Sequence, residues 1–175
     1  MKKVLVLAAA LGCFICIIPA AHALPLISFD AALAVPFPTG DFADSVKTGI
    51  GANVEAFASL PMIPLKIGAR AAYNRFSHKA GSGNTQIIEV LPTVRYELGL
   101  PLGILNFFGQ LGAGLYTSVN TVKILGIKTK KTESNFGLSV GIGASAMNFM
   151  VMPMYEIMFS DPNTSFVSLN VGMRF

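Results

Sequence analysis

The chain has 175 residues, of which 13% are charged and 53% are hydrophobic, and its formal net charge is +4. Soluble proteins have about 25% charged residues, so this composition favours a protein that faces lipid or buries most of its surface. This small positive charge is too little to argue for a nucleic-acid partner, which requires a basic stripe.

The first 23 residues have the three parts of a secretory signal peptide. A basic start, MKK, precedes the apolar run VLVLAAALGCFICII, and Ala21 and Ala23 form an A-x-A cleavage site. We expect cleavage after Ala23, which leaves residues 24–175 as one β-barrel domain. The alternatives are an uncleaved anchor and a lipoprotein signal with a lipidated Cys13.

Both cysteines, Cys13 and Cys16, lie in the predicted signal peptide. The mature chain therefore has no thiol, no disulfide and no cysteine-based metal site. We predict no cofactor and no metal for it. Removal of Lys2 and Lys3 also lowers the formal charge to +2.

Beyond the signal peptide, apolar and polar residues alternate in runs that Gly, Pro, Asn and Asp separate, which is typical of strands. Most runs have 9–13 residues. That length suits a tilted strand that crosses a bilayer, about 9–11 residues, better than a soluble strand of about 5–6. The eight predicted strands are 27–36, 48–60, 65–76, 86–98, 104–118, 134–147, 150–160 and 164–175.

Each run has a continuous apolar face and a face of small or polar residues. In the sixth run, Phe136 and Leu138 oppose Gly137 and Ser139. Small residues suit a narrow interior, and an open sheet edge cannot be hydrated in lipid, so the sheet must close. We predict an all-β fold, an eight-stranded antiparallel up-and-down transmembrane β-barrel. The aromatic residues expected near its lipid interfaces are Phe29, Phe37, Tyr73, Tyr96, Phe107, Tyr155, Phe159 and Phe175.

The connections alternate in character along the chain. Outer-membrane barrels have short periplasmic turns and longer outer loops, so both termini are predicted to be periplasmic. The predicted turns are 60–64, 99–103 and 147–149, and the predicted loops are 37–47, 77–85, 119–133 and 160–164.

Two segments carry a family resemblance: FDAALAVPFPTGDFADSVKTGIGANVEAFAS and the terminal SLNVGMRF. They resemble the OmpA-like and OmpX-like β-barrel domain, the small eight-stranded outer-membrane barrels of Gram-negative bacteria. The resemblance covers residues 24–175 and implies export to the cell outer membrane. It also implies that Val171, Met173 and Phe175 form the signal that the barrel-assembly machinery reads. No peptidoglycan-binding domain is expected after Phe175.

Strand alternation places nine charged side chains inside the barrel. These are Asp30, Glu55, Glu89, Glu97 and Glu156 with Lys66, Arg70, Arg95 and Arg174. An eight-stranded barrel is narrow enough for side chains to fill it, so these charges must pair. Hairpin geometry predicts that Glu55 lies opposite Arg70 and Lys66 opposite Glu97. We interpret the set as a structural ion-pair plug, with a proton or ion path as the alternative.

Two features resemble catalytic motifs. Residues 137–141 match G-x-S-x-G, but Ser139 lies in mid-strand rather than in the strand–turn–helix that this motif requires. The only mature histidine, His78, follows Ser77, and neighbours in an extended chain point apart. No acid flanks the pair, so we predict no catalytic site.

The longest predicted loop contains Lys123, Lys128, Lys130 and Lys131. This candidate surface-contact loop could attract lipopolysaccharide phosphates or an acidic partner. The segment ILGI at 124–127 would allow a protruding hairpin instead of an open loop.

The predicted function is that of a non-enzymatic outer-membrane protein with a structural or surface-interaction role through its extracellular loops. The expected partners are outer-membrane lipid and lipopolysaccharide, the barrel-assembly machinery and an unidentified surface ligand, with no nucleic acid. The alternatives are a lipid A-modifying enzyme, a narrow ion channel and a soluble periplasmic calycin-like binder of lipids or small ligands. The enzyme would need a Ser/His/acid cluster at one rim of the barrel. The channel would need an interior that ion pairs do not block, and the soluble binder would need a polar outer face.

Overall fold

The computed structural model describes residues 27–81, 83–99, 105–124 and 127–175, and for residues 123, 124, 127 and 128 it describes the backbone alone. The predicted signal peptide, with its cleavage site at Ala21 and Ala23, lies outside these residues. So does Cys13, the lipidation site of the lipoprotein alternative.

Eight strands form one closed antiparallel barrel in which each strand pairs with the next and the last pairs with the first. The predicted fold is confirmed. The strands are β1 (Ile27–Thr39), β2 (Ile50–Ser59), β3 (Leu65–Ser77), β4 (Gly83–Gly99), β5 (Leu105–Ile124), β6 (Ile127–Ala146), β7 (Phe149–Met158) and β8 (Thr164–Arg174), and one short helix, α1 (Asp41–Ser45), follows β1.

The pairing of β1 with β8 closes the barrel and leaves no sheet edge along the wall. It runs from Asp30↔Arg174 to Thr39↔Ser165. The final residue extends it, because Phe175 N–H donates to Phe29 O over 2.7 Å and Phe29 N–H donates to Phe175 O over 3.1 Å. The terminal strand is therefore part of the wall.

Burial alternates along every strand. On β7, Met152 and Met154 are almost fully buried, whereas Val151 is 45% exposed and Tyr155 is 40% exposed. The predicted interface aromatics also point outward. Seven of them are between 40% and 49% exposed, and Phe29 is half-buried. The apolar face of the strands is the outer face of the barrel.

The predicted loop 119–133 is wrong as a loop. β5 continues to Ile124 and β6 begins at Ile127, so both strands have 20 residues. The segment is polar but rich in Thr, Val and Ile, whose branched side chains favour strands. We call residues 119–133 the outer hairpin. We call this end of the barrel the loop end, and the opposite end, which holds Ile27 and Phe175, the terminal end.

The predicted loop 37–47 folds over the loop end. After α1, Val46 is buried among side chains from the strands, and the Phe42 ring lies 5.0 Å from the Phe76 ring, edge to face. Phe76 in turn lies 5.4 Å from Phe166. An apolar cluster therefore fills the loop end. Within the described ranges, no helix is long and apolar enough to cross a membrane.

We predict that Phe76→Ala lowers the free energy of unfolding by about 3–5 kcal/mol, because it removes a fully buried ring from this cluster. The matched control is Phe37→Ala, since Phe37 is 44% exposed on the outer face. Urea titration of both variants in detergent micelles would measure the difference. Equal losses would mean that the loop-end cluster contributes no more than the outer wall.

Candidate functional site

All nine charged residues that strand alternation placed inside the barrel face inward, and each forms an ion pair with another of the nine. We call this set the interior charge network. Its members come from six of the eight strands, so it connects opposite sides of the wall. Five carboxylates face four cations.

Arg70 lies at the centre of the network among three carboxylates. Its Nη1 donates to Glu55 Oε1 over 2.8 Å, its Nε lies 3.6 Å from Glu89 Oε2, and its Nη2 lies 3.5 Å from Glu156 Oε1. All four side chains are fully buried. Asn74 Nδ2 also donates to Glu89, over 2.6 Å. Removing any cation here would leave carboxylates buried without a counter-charge.

Arg95 extends the network toward the terminal end. Its guanidinium donates to Asp30 and, over 2.6 Å, to Glu55 Oε2. It also lies 4.0 Å from the centre of the Phe57 ring and 4.5 Å from the centre of the Phe108 ring. This aromatic sandwich was not predicted, although Phe57 shares the inward parity of Glu55. Stacking satisfies the guanidinium faces, which carry no hydrogen-bond donors.

The register of the first predicted pair is as expected, because Glu55 lies directly opposite Arg70. The second prediction is wrong by two residues, since Lys66 lies opposite Arg95 rather than Glu97. A register shift of two residues leaves each side chain on the same face of the sheet. Lys66 Nζ therefore still reaches Glu97 Oε2 diagonally, over 3.0 Å.

Arg174 completes the network beside the last residue of the chain. Its Nε lies 3.1 Å from Asp30 Oδ1, and its Nη1 lies 3.0 Å from Glu97 Oε1. The pair with Asp30 bridges β8 and β1, the strands that close the barrel. This contact stabilises the closure from the inside.

The G-x-S-x-G segment has no catalytic geometry. Ser139 faces inward in the middle of β6 and is 3% exposed. Its neighbour Gly137 is small because a side chain there would overlap the Tyr116 ring, only 2.6 Å from the position of a Cβ. The glycines of this motif make room for interior side chains.

His78 has a partner that the sequence analysis missed. Its Nε2 lies 2.9 Å from Thr85 Oγ1, and Thr85 donates to Asn120 Oδ1 over 2.5 Å. Thr85 is 3% exposed, and no ion pair within the described ranges includes His78. These contacts join the residue that follows β3 to β4 and to Asn120, at the base of the outer hairpin. His78 and Thr85, which are seven residues apart, meet because the chain turns between β3 and β4. Alternation of apolar and polar residues does not locate this turn.

The four lysines of the candidate surface-contact loop lie on the outer hairpin. Lys130 pairs with Thr121, Lys131 with Asn120, and Lys123 with Lys128 along the backbone. Lys130 and Lys131 are exposed and, as neighbours on a strand, point to opposite faces. Lys131 Nζ lies 2.5 Å from Glu133 Oε1, and this hydrogen bond and charge raise the pKa of Lys131 above its ordinary value.

The three residues of the predicted assembly signal point outward on the terminal strand. Val171 is 50% exposed, Met173 is 41% exposed and Phe175 is 49% exposed. They are thus accessible from the outer face, and their role in assembly stays a prediction. Among the described residues, no group of three His, Cys, Asp or Glu side chains could hold a metal ion.

Comparison with known proteins identifies the fold. Neisserial surface protein A is similar over 85% of this chain and 95% of its own, with 17% identity and a TM-score of 0.61. Ail, the attachment invasion locus protein of Yersinia pestis, is similar over 85% of this chain and 97% of its own, with 18% identity and a TM-score of 0.57. Ail in complex with the heparin analogue sucrose octasulfate has 21% identity, covers 86% of this chain and 97% of its own, and has a TM-score of 0.52.

These structural similarities show the architecture, that of the small eight-stranded outer-membrane β-barrels. No family model and no curated protein sequence matches the chain. The fold that the family resemblance of residues 29–59 and 168–175 implied is confirmed by the structural similarities.

The charge count gives a prediction about the network. Arg70→Met leaves five carboxylates with three cations and should lower the free energy of unfolding by about 3–5 kcal/mol. Glu89→Gln leaves four of each sign and keeps an acceptor for Asn74, so its loss should be clearly smaller. Urea titration in micelles would compare the two variants. A larger loss for Glu89→Gln would contradict the charge-balance argument.

Proposed function

We propose that the protein is a non-enzymatic outer-membrane β-barrel that presents the outer hairpin to anionic ligands at the cell surface. The observation that carries this proposal is the contrast between the wall and the hairpin. The outward positions of β5 and β6 are mainly apolar from Phe107 to Leu115 and from Phe136 to Ile142. Beyond these residues both strands continue, with polar and basic side chains.

The outward apolar belt supports a membrane location. On the described strands it includes large exposed side chains on every side of the barrel, among them Leu33, Val90, Leu111 and Ile142. Exposure of so continuous an apolar surface to water is unfavourable, whereas its contact with the hydrocarbon of a membrane is favourable. This argues against the soluble calycin-like alternative, because such a binder keeps its apolar face inside.

The filled interior supports a structural wall rather than a channel. The interior charge network occupies the middle and the terminal end, and the apolar cluster around Phe76 and Phe166 occupies the loop end. Ions would have to displace paired buried charges and then pass apolar side chains. This argues against the narrow-channel alternative.

The surroundings of the hydroxyl groups argue against a lipid A-modifying enzyme. Thr85 is buried and already bonded to His78 and Asn120, and Ser139 faces the interior. A nucleophile needs a base and access to substrate. The trio at the loop end is better explained as a brace.

A sulfated or phosphorylated polysaccharide is the ligand class that the outer hairpin fits best. The hairpin carries four lysines and Glu133, which gives a net charge of +3. A long strand pair can present these lysines well beyond the lipid. The similar barrel Ail has been crystallised with a sulfated heparin analogue. Lipopolysaccharide phosphates have the same chemistry and compete for the same lysines.

Two further interactions complete the proposal. A signal peptide at residues 1–23 takes the chain across the inner membrane. The barrel-assembly machinery then recognises Val171, Met173 and Phe175 on the terminal strand and inserts the barrel with both termini in the periplasm.

Cell fractionation tests the location. We expect the mature protein in the outer-membrane fraction, beginning after Ala23, and we expect its electrophoretic migration to change on boiling because heat opens a closed barrel. A soluble periplasmic protein that migrates identically before and after boiling would contradict the proposal.

Binding to immobilised heparin tests the hairpin. Lys130→Gln/Lys131→Gln should weaken binding, and the loss should shrink as salt rises, because screening already weakens the charge attraction. The matched control is Lys47→Gln/Lys79→Gln, which removes two charges at the same end of the barrel but outside the hairpin. Equal weakening by both pairs would show that net charge, and not the hairpin, determines binding.

A further inference from the structure

The positive and negative charges of the interior charge network are unevenly distributed along the barrel axis. Toward the terminal end, three carboxylates meet three cations: Asp30, Glu55 and Glu97 with Lys66, Arg95 and Arg174. Toward the loop end, Glu89 and Glu156 both pair with one cation, Arg70. The surplus negative charge of the network therefore lies at these two residues. We call Glu89 and Glu156 the carboxyl pair.

The carboxyl pair converges on one edge of the Arg70 guanidinium. Its Nε and Nη2 atoms lie on the same edge, where a single carboxylate can accept two parallel hydrogen bonds. Here Arg70 Nε lies 3.6 Å from Glu89 Oε2, and Nη2 lies 3.5 Å from Glu156 Oε1. Two carboxyl groups, from β4 and β7, thus occupy the position of one. They also lie close enough together for a hydrogen bond between them.

The carboxyl pair is shielded from solvent and incompletely hydrogen-bonded. The side chains of Glu89, Glu156 and Arg70 are fully buried. Asn74 donates to Glu89 Oε1, and Ser168 donates to Glu156 Oε1 over 2.7 Å. The second oxygen of each carboxyl group, Oε2, is buried and accepts no hydrogen bond from a backbone or side-chain donor. The pair therefore needs a hydrogen-bond donor as well as a positive charge.

Among the described residues, no second cation pairs with the carboxyl pair. The residues directly opposite on the neighbouring strands are uncharged: Ala72 and Tyr116 for Glu89, and Ser139 and Phe166 for Glu156. The hydroxyl of Tyr116 donates to Leu138 O over 3.3 Å. Glu55 on β2 adds a further negative charge beside Arg70. The charged residues of β1 and β8, Asp30 and Arg174, pair with each other at the terminal end.

One proton would supply both the charge and the donor. A buried ion without a counter-charge is strongly unfavourable, and repulsion between two carboxylates that share a site favours protonation of one of them. A protonated carboxyl group is neutral and has an O–H that can donate to the other carboxylate. The same physical chemistry lets paired carboxyl groups elsewhere hold one proton between them.

We propose that the barrel interior contains a proton-binding site, in which Glu89 and Glu156 share one proton beside Arg70. The site is occupied at neutral pH as long as the barrel is folded. The interior then has four negative and four positive charges. This site concerns the interior alone, and binding of ligands by the outer hairpin does not depend on it.

Infrared spectroscopy of the mature barrel, folded in a detergent without carbonyl groups, tests the site directly. A protonated carboxyl group has a C=O stretching band that a carboxylate lacks, and this band shifts in D2O. We expect one such group per barrel at neutral pH. Glu89→Gln and Glu156→Gln should each remove the band, because Arg70 balances the one carboxylate that is left. The change of migration on boiling verifies that each variant is folded.

Glu97→Gln is the matched control. It also leaves the network with four carboxylates, but it removes one at the terminal end, where Glu97 Oε2 lies 3.0 Å from Lys66 Nζ. Because the surplus negative charge lies at the carboxyl pair, Glu97→Gln should keep the infrared band. The control therefore separates a proton held by the pair from one that depends only on the total charge of the interior.

The pH dependence of unfolding counts the same proton. An exposed Glu is ionised above about pH 4.3, so the unfolded chain releases the proton that the folded barrel holds. The unfolding equilibrium constant should therefore increase by up to about tenfold for each unit of rising pH near neutrality. Urea titrations should show this component in the wild-type protein and Glu97→Gln, whereas Glu89→Gln and Glu156→Gln should lose it. Contributions from groups outside the pair, including His78, are common to all four proteins and cancel in the comparison.

Absence of the infrared band from the wild-type protein at neutral pH would overturn the proposal. If Na⁺ then stabilised the barrel, a metal cation would be the balancing charge instead. A band that persists in either Glu89→Gln or Glu156→Gln would also overturn it, because the other carboxyl group would then hold the proton without sharing. So would loss of the band in Glu97→Gln, or an equal pH dependence of unfolding in all four proteins.

Discussion

Closure of the backbone hydrogen-bond ladder is the constraint on which the rest of this structure depends. Unpaired N–H and C=O groups are costly in hydrocarbon, so the sheet must pair its first strand with its last. β8 meets β1 over ten residue pairs, from Asp30↔Arg174 to Thr39↔Ser165, and Phe175 extends the ladder to Phe29. Once the sheet is closed, each strand has one face toward the outside and one toward a narrow interior.

The narrow interior determines which side chains can occupy it. Glycines such as Gly137 make space for large neighbours, and charged residues enter only with partners. Arg70 takes three carboxylates and Arg95 takes two carboxylates and two aromatic rings. The network therefore braces the wall across its width. The same side chains fill the space that transport or an interior ligand would need, and for this reason the proposed function assigns recognition to the outer surfaces.

The outer surface of the barrel has two parts, an apolar belt between the two ends and a basic hairpin beyond the belt. The belt between the two ends is apolar and suits lipid, and it contains two outward grooves, one lined in part by Pro92 and the other by Pro153. Beyond the belt, β5 and β6 continue as a basic hairpin. The proposed function uses these two surfaces separately, the wall for membrane lipid and the hairpin for anionic ligands, because they have different residues at different depths.

Alternation by itself determined the strand number, the closed fold and the identity of the nine inward charges, because a side-chain period of two assigns every residue to a face. Local turn geometry also determined that Glu55 faces Arg70. Tertiary structure decided which charges meet across the barrel, such as Arg95 with Asp30 and Arg70 with Glu156, since these pairs join strands that are not neighbours. It also decided the two-residue shift at Lys66, the extension of the outer hairpin and the outward groove beside Pro92. These features depend on barrel curvature and on register summed over several strands, and no single segment of the sequence contains that information.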